Sequence, residues 1–413
     1  MSMGGGKDYD VIIVGGGPAG ASASVHLATR GARVLLLERE KFPRPKLCGE
    51  FISPECLGHF ARLGVLEEML SAGGAQIAET QFFAQSGRRT GVPSAWFGQG
   101  AGVFESAALG LSRAEMDERL LSRARAVSVE VLEEAQVVGL LFEDEQRICG
   151  VRVQWGGAEL HLKAAVTIDA TGRARALARR IEQRGETVSA GRRAETHESS
   201  KKRMPLVAFK THLENAGGGE GICEIYFYRG GYGGLSRVEN GLSNLCFIAT
   251  AGDVRARASD AERVMREIVA SNARAAETLR EARVRSGWVA VALESFGRRE
   301  VVPAEGLLTV GDAASFIDPF TGSGMLMALE GGELASEEIM RALPGLRAGA
   351  AFASLAHNYR ARYRACFAAR LRVCSLLRRA AFAPRFVTEA GIAALGASER
   401  ARRVLARATR FAQ

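Results

Sequence analysis

Short apolar runs, each closed by glycine or a charge, alternate along this chain with stretches in which apolar residues recur at helical spacing. Val11-Ile-Ile-Val14 and Val34-Leu-Leu-Leu37 are unbroken runs, the pattern of parallel strands buried on both faces. Ala23 and Ala28 keep the helix predicted between them thin against the sheet. "LSRAEMDERLLSRARA", residues 111–126, carries Met116, Leu120 and Leu121 at amphipathic spacing, with Ser112 as N-cap. Ser53-Pro54 predicts another helix start, running to about Leu66, with Pro at its first position and Glu55 adding a favourable charge. Residues 134–155 read as paired strands, and "AELHLKAAVTI" as a third, an antiparallel meander. "PLVAFKTHL", "GICEIYFY", "GYGGLSRV" and "LSNLCFIA" predict a second, strand-rich region within 205–250. Residues 257–285 read as one charged amphipathic helix. The span 180–204 has few apolar residues and reads as a loop, either a lid or a solvated connection. From about residue 344 the chain is Ala- and Arg-rich and helical, with Pro384 a break.

The first run leads directly into chemistry. "GGGPAGASA" places Gly15, Gly17 and Gly20 as GxGxxG, and Glu38 ends the second run 18 residues beyond Gly20. Gly15 permits a tight turn, Gly17 lets backbone approach a pyrophosphate, and Gly20 lets the helix pack closely on the strand. The helix start offers free N–H groups and a partial positive charge to phosphates. Glu38 stands where a carboxylate bonds ribose hydroxyls. The ordered unit predicts dinucleotide binding, and the acid favours FAD or NAD over a ligand with a 2′-phosphate.

Later segments separate FAD from NAD, because an FAD protein must also bury a ribityl chain and a ring. Arg113, in the first turn of the 111–126 helix, is either solvated or a phosphate contact. In "AAVTIDATGRARALARR", residues 164–180, a strand ends at Ile168 and Asp169-Ala-Thr171-Gly172 turns into a helix. In "LLTVGDAASFIDPFTGSG", residues 307–324, a strand ends at Gly311-Asp312, and Pro319, Gly322, Ser323, Gly324 and Met325 open a helix. Asp312 suits ribityl hydroxyls, and that helix start suits the negative charge of a reduced flavin.

Length and composition narrow the class. A chain of 413 residues, 47% hydrophobic and 24% charged, has the profile of a globular protein of two or three structural units. No apolar run reaches the ~18 residues of a membrane span, and "MSMGGGKDYD" lacks a signal-peptide core, so the expected location is cytoplasmic. The net charge of +9 comes from 48 Arg and 7 Lys, with no basic stripe interleaved with aromatics, which argues against nucleic-acid binding. Residues 360–413 hold 13 Arg and two acids; such helices either cover the protein's own core or lie on an anionic membrane. Seven scattered cysteines without a CxxC pair argue against disulfides or zinc, and no metal is expected.

"GGGPAGASA", Ser112-Arg113 with Asp117, "DATG" at 169–172 and "GDAASFIDPFTGSG" at 311–324 together resemble the FAD-dependent oxidoreductases of the p-hydroxybenzoate-hydroxylase fold, and within them the geranylgeranyl reductase family. The resemblance covers roughly residues 8–345. It implies an α/β fold: a Rossmann-like FAD-binding domain (8–75, 106–180 and 300–345), an antiparallel-sheet substrate domain (76–105 and 181–299) and a C-terminal helical region (346–413). It assigns to FAD the residues Gly15, Gly17, Pro18, Ala19, Gly20, Glu38, Arg39, Cys48, Gly49, Arg113, Asp169, Thr171, Gly172, Gly311, Asp312, Pro319, Gly322, Ser323, Gly324 and Met325. "KLCGE", residues 46–50, resembles the family's segment beside the isoalloxazine, making Cys48 either a catalytic proton donor or an inert buried thiol; Lys46 and Glu50 are surface charges or pocket groups. Tyr226, Tyr228, Tyr232 and Phe247 are pocket walls or sheet packing.

The implied reaction is reduction of a carbon–carbon double bond, or the reverse desaturation, in a hydrophobic small molecule. Alternatives are a flavin-peroxide monooxygenase, a flavin-dependent halogenase and a non-catalytic flavoprotein. Two departures oppose the halogenase: no lysine lies between Lys46 and Lys163, and Trp96, Trp155 and Trp288 are isolated. No His/Asp/Glu constellation nominates an acid. "NAGGGEG" at 215–221 follows no apolar strand, so the expected electron donor is a transient NADH or NADPH, or a donor protein. Peripheral membrane contact is a further expectation.

Overall fold

The computed structural model describes residues 8–97, 107–143, 146–189, 205–293, 296–348 and 350–410. The first strand, Asp8–Val14, runs parallel to Val34–Leu37 on one side and Ala158–Asp169 on the other, inside a seven-stranded sheet. Val11, Ile12 and Ile13 are wholly buried, which is why the run carries no polar alternation. The strand Ala158–Asp169 serves two partners along its far edge. Its first half pairs antiparallel with Arg147–Trp155, and Thr167, Ile168 and Asp169 pair parallel with Leu307–Thr309. Three parallel strands from distant parts of the chain therefore end side by side, at Val14, Asp169 and Thr309. Ligands of open α/β sheets bind at such carboxyl ends.

Small residues set how closely the covering helices approach. The helix Pro18–Ala28 crosses the long helix Gly324–Arg347, and Ser22 Oγ donates to the Leu329 carbonyl at 2.9 Å. A Cβ at Gly332 would lie 2.5 Å from the Ala19 carbonyl oxygen, so only glycine fits there. The two glycine-rich stretches thus pack their helices on each other.

A second sheet carries, in order, Arg283–Val284, Leu206–Glu214, Ser243–Thr250, Gly231–Arg237, Ile222–Tyr228, Glu79–Phe83 and Arg89–Pro93, with Val289–Leu293 also on Leu206–Glu214. It is antiparallel except between Ile222–Tyr228 and Glu79–Phe83, which run parallel. Residues 257–285 are not one helix. Ala258 and Ser259 take φ of 55° and 61°, and Asp260 and Asn272 each cap a new start, giving Ala261–Glu267 and Ala273–Thr278. The helix from Pro54 stops at Leu63, where Gly64 adopts φ 73°, and a short helix Leu66–Leu70 follows. Part of the expected loop 180–204 is the helix Ala176–Ser189; the remainder lies outside the described residues.

Of the C-terminal helices, Ala353–Ala381 packs on Gly324–Arg347, whereas Arg385–Ala397 and Glu399–Ala408 lie against Arg89–Pro93 of the second sheet. Ala353–Ala381 buries Tyr359, Tyr363 and Phe367 along one face, and the Tyr359 hydroxyl donates to the Thr309 carbonyl at 2.7 Å. Several arginines of Ala353–Ala381 find carboxylates, among them Arg360 with Glu300 and Arg378 with Asp318. Leu376, Phe386, Val387 and Val404 stand exposed. No helix among the described residues is long and apolar enough to cross a membrane.

Candidate active site

A cavity of about 1000 Å³ opens between the strand ends of the first sheet and the second sheet. Gly15 and Gly17 line one end, and Gly311, Asp312 and Gly324 line it further along. Gly15 adopts φ 110°, and a Cβ there would lie 2.4 Å from the Ala170 carbonyl oxygen. A Cβ at Gly20 would lie 1.9 Å from the Gly15 carbonyl oxygen. At Gly17 the nearest atom is Arg113 Nη2 at 3.8 Å, so backbone here faces open space. Glu38 Oε2 accepts the Gly16 N–H at 2.8 Å and contacts Arg44 Nη2 at 3.3 Å. Burial alone would raise this carboxyl; Arg44 and the N–H groups of Glu40 and Gly16 outweigh it and hold it below its usual range. Arg113 is buried and forks onto Asp117, its Nε and Nη2 at 2.8 and 2.7 Å from the two oxygens. It is a fixed cation beside the glycine loop, not a solvated one.

The second glycine stretch meets the first by contact: a Cβ at Gly311 would lie 2.8 Å from the Ala19 methyl. Asp312 accepts no hydrogen bond among the described residues. Burial pushes its carboxyl up, against the pull of Arg173, Arg113 and Lys46. Neither helix facing the cavity has a side-chain cap or an acid in its first turn. Both therefore offer bare N–H groups to an anion. The turn before Gly324 is pinned from the far C-terminus. Arg410, 2% exposed, donates to the Gly322 carbonyl at 3.2 Å and to Ser323 Oγ at 3.0 Å, and its guanidinium covers the Phe97 ring at 4.6 Å. Nothing local around Arg410 signals this role in the sequence.

The segment Lys46–Glu50 forms another part of the wall, docked on the second sheet. Asn244 donates to the Cys48 carbonyl at 3.1 Å and Ser236 to that of Gly49 at 3.3 Å. Burial pushes the Cys48 thiol up, with Arg113 opposing, so the sulfur is a proton-bearing thiol at neutral pH. Glu50 is a pocket group, not a surface charge. Its Oε1 accepts the Arg113 N–H at 2.8 Å and the Lys210 ammonium, and Oε2 meets His212 Nε2 at 2.6 Å. Burial would raise Glu50, but His212 and Lys210 outweigh it and hold the carboxyl down. The sequence alone nominates no such constellation; the fold assembles this one. Its members are 160 and 162 residues apart; the alternation Lys210, His212 on one strand face was the only local sign.

Most of the expected cofactor residues line the cavity: Gly15, Gly17, Pro18, Ala19, Glu38, Arg39, Cys48, Gly49, Arg113, Thr171, Gly172, Gly311, Asp312, Pro319, Gly322, Gly324 and Met325. Gly20, Asp169 and Ser323 do not. Gly20 is a packing residue. Asp169 is fully buried and caps the helix Ala176–Ser189, accepting the N–H of Leu177 at 3.0 Å and of Ala178 at 2.9 Å. Ser323 Oγ donates to the Thr409 carbonyl at 3.1 Å. Of the four aromatic candidates only Tyr232 reaches the cavity, bonded to Asp318. Tyr226, Tyr228 and Phe247 point to the sheet's other face and pack in its own core.

These features fit FAD. Gly49, Gly172 and Gly324 have no atom within 4 Å of an added Cβ, leaving an open trough from the glycine loop to the second sheet. Arg44, Lys46, Arg113 and Arg173 line it, supplying cations for a diphosphate. The FAD binding domain family matches residues 8–366. Digeranylgeranylglycerophospholipid reductase of Methanosarcina mazei is 27% identical over 347 residues, covering 81% of this chain and 76% of the relative. Among solved structures, the flavin-dependent brominase Bmp2 superposes with a TM-score of 0.77 at 19% identity, covering 98% of this chain and 94% of that one. A geranylgeranyl bacteriochlorophyll reductase-like protein of Thermoplasma acidophilum gives 0.75 at 18%, covering 98% and 97%. The two structural likenesses establish the fold, which serves more than one chemistry. The chain belongs to the FAD binding domain family and is an FAD-dependent oxidoreductase.

Proposed function

We propose that this enzyme reduces a carbon–carbon double bond in an apolar, polyprenyl-type chain. The observation that carries the reading is the pair of uncapped helix N-termini converging on one cavity, whose further wall is apolar and aromatic. In this reading the Ala19 N–H group and Arg113 take the diphosphate, Glu38 the ribose and Asp312 the ribityl hydroxyls. The N–H groups of Gly324 and Met325 take the pyrimidine edge. FAD, when bound and reduced, supplies a hydride. Phe82, Ile225, Tyr232, Leu293, Phe316 and Phe320 supply an apolar lining that excludes water and orients the substrate chain. The double bond gains the hydride at one carbon and a proton at the other. Cys48 keeps its proton at neutral pH and is the side chain proposed to hold that proton. The name of the Methanosarcina relative supports a polyprenyl lipid as substrate class, and a transient NADH or NADPH is the proposed reductant.

The fold neighbour named as a brominase makes the test specific. Anaerobic, prereduced enzyme is mixed with a polyprenyl lipid and the product weighed. The expected product is heavier by two hydrogens and forms without oxygen or halide. A product that appears only with oxygen, or only with oxygen and halide, would replace this reading with oxygenation or halogenation.

A further inference from the structure

Among the described residues after Ala353, Arg410 alone lines the cavity, and it does so at the end assigned above to the flavin pyrimidine. Its bonds to the Gly322 carbonyl and Ser323 Oγ hold the two residues directly before the Gly324 and Met325 N–H groups. Gly322 adopts φ 61°. Glycine has many alternatives to that backbone, and the guanidinium selects one path into the helix. The backbone next to Arg410 is clamped to the same helix. Ser323 Oγ bonds the Thr409 carbonyl, and Arg370 donates to the Arg410 carbonyl while pairing with Glu330. Further back, the segment is tied to the second sheet. Arg402 donates to the Gly91 carbonyl at 2.9 Å, and the Ser86 hydroxyl donates to Glu389 at 2.7 Å. Packing alone does not call for an arginine here. The nearest carboxylate, Glu55, stands 3.6 Å from Nε, and Nε and both Glu55 oxygens have no hydrogen-bond partner among the described residues. Burying a guanidinium on such terms is costly, and an apolar side chain filling the same space would carry no such cost.

We propose that Arg410 is a positioning residue for the ring end of the cofactor, which makes the C-terminal segment a third element of the FAD site beside the two glycine stretches. Arg410 fixes the Gly322–Ser323 turn, and the turn aims the Gly324 and Met325 N–H groups. Docking of residues 399–410 and occupation of that end by a flavin are therefore mutually dependent, because coupling between two equilibria is reciprocal. The diphosphate end, held by the Gly15–Gly20 loop, has no contact with this segment and stays outside the coupling. The inference rests on the FAD reading above, with the pyrimidine edge at Gly324, but not on the identity of the substrate.

The test needs no substrate. Full-length apoprotein, as wild type and Arg410→Met, is titrated with riboflavin and with ADP, which report the two ends of the site separately. Arg410→Met should weaken riboflavin about tenfold, the loss expected when hydrogen bonds from a charged donor are removed, and leave ADP unchanged. Unchanged riboflavin binding overturns the proposal. So does an equal loss for both ligands, which is the mark of a residue that supports the fold in general. If Arg410→Met fails to fold, hydrogen exchange of the wild-type protein decides. Riboflavin should slow exchange in the helix Glu399–Ala408 about tenfold, and ADP should not. A helix that exchanges alike with and without riboflavin, or that both ligands protect equally, overturns the proposal. A wild-type protein that binds no flavin overturns both this inference and the FAD reading. A protein that shows the coupling and reduces no alkene leaves the inference standing and removes only the substrate reading.

Discussion

Glu50→Gln lowers the unfolding free energy by about 3–5 kcal/mol, the range seen when one member of a buried ion pair is removed. The carboxylate has no exposure and the Lys210 side chain almost none, so the stranded ammonium has no water to turn to. The double variant Glu50→Gln/Lys210→Met recovers much of the loss, because replacing both partners removes the unpaired charge. A denaturant midpoint series over the wild type, the two single variants and the double variant gives the coupling directly. The pH dependence has a definite sign. The Glu50 carboxyl is held below its ordinary value by His212 and Lys210. Its contribution is therefore complete above the unfolded-state value, near pH 4.5, and is lost as pH falls toward the folded-state value. The gap between wild type and Glu50→Gln should be full at neutral pH and should narrow in acid. A gap that widens in acid contradicts the assignment.

Gly20→Ala removes flavin binding and destabilises the fold by about 3 kcal/mol, the upper end for overpacking a filled site. The added methyl would lie 1.9 Å from the Gly15 carbonyl oxygen, and that atom is backbone. Gly15 cannot yield, since its own neighbour is the Ala170 carbonyl. The helix Pro18–Ala28 must then lift off the sheet, carrying its N–H groups away from the cavity. Gly49→Ala is the control. It meets nothing within 4 Å, so stability should change by less than about 0.5 kcal/mol. Its methyl points into the trough, and flavin retention alone should fall. Flavin content of the purified variants, with thermal unfolding alongside, separates the two effects.

What could be read in the chain before folding was whatever is encoded locally. Gly15, Gly17 and Gly20 answer to contacts within a few residues and a strand on either side, and each lies where its spacing implied. Ser112 caps its helix, accepting the Glu115 N–H at 3.2 Å, as the Ser-Arg start suggested. Asp312 and Gly17 line the same cavity because parallel strands end together, a rule of topology that needs no knowledge of side chains. Asp169 misled because a carboxylate at a strand end serves a cofactor or a helix N-terminus equally well in sequence. The helix Ala176–Ser189 took it. Residues 257–285 misled because helical spacing persisted across Ala258 and Ser259, whose left-handed backbone no pattern of apolar residues records. The Glu50 cluster and Arg410 were illegible for a different reason. Their partners come from other sheets and from the chain's far end, and only the assembled fold brings them together.

The central claim is that two distant stretches hold opposite halves of one FAD, and binding of the halves tests it most directly. Apoprotein is titrated with ADP and with riboflavin, in the wild type, Gly17→Glu and Asp312→Ala. The account predicts that Gly17→Glu abolishes ADP binding and spares riboflavin, whereas Asp312→Ala weakens riboflavin about tenfold, the loss of one charge-assisted hydrogen bond, and spares ADP. FAD should suffer from both. If Asp312→Ala leaves riboflavin and FAD binding untouched, or if Gly17→Glu leaves ADP bound, the two stretches do not share a cofactor and the account is wrong.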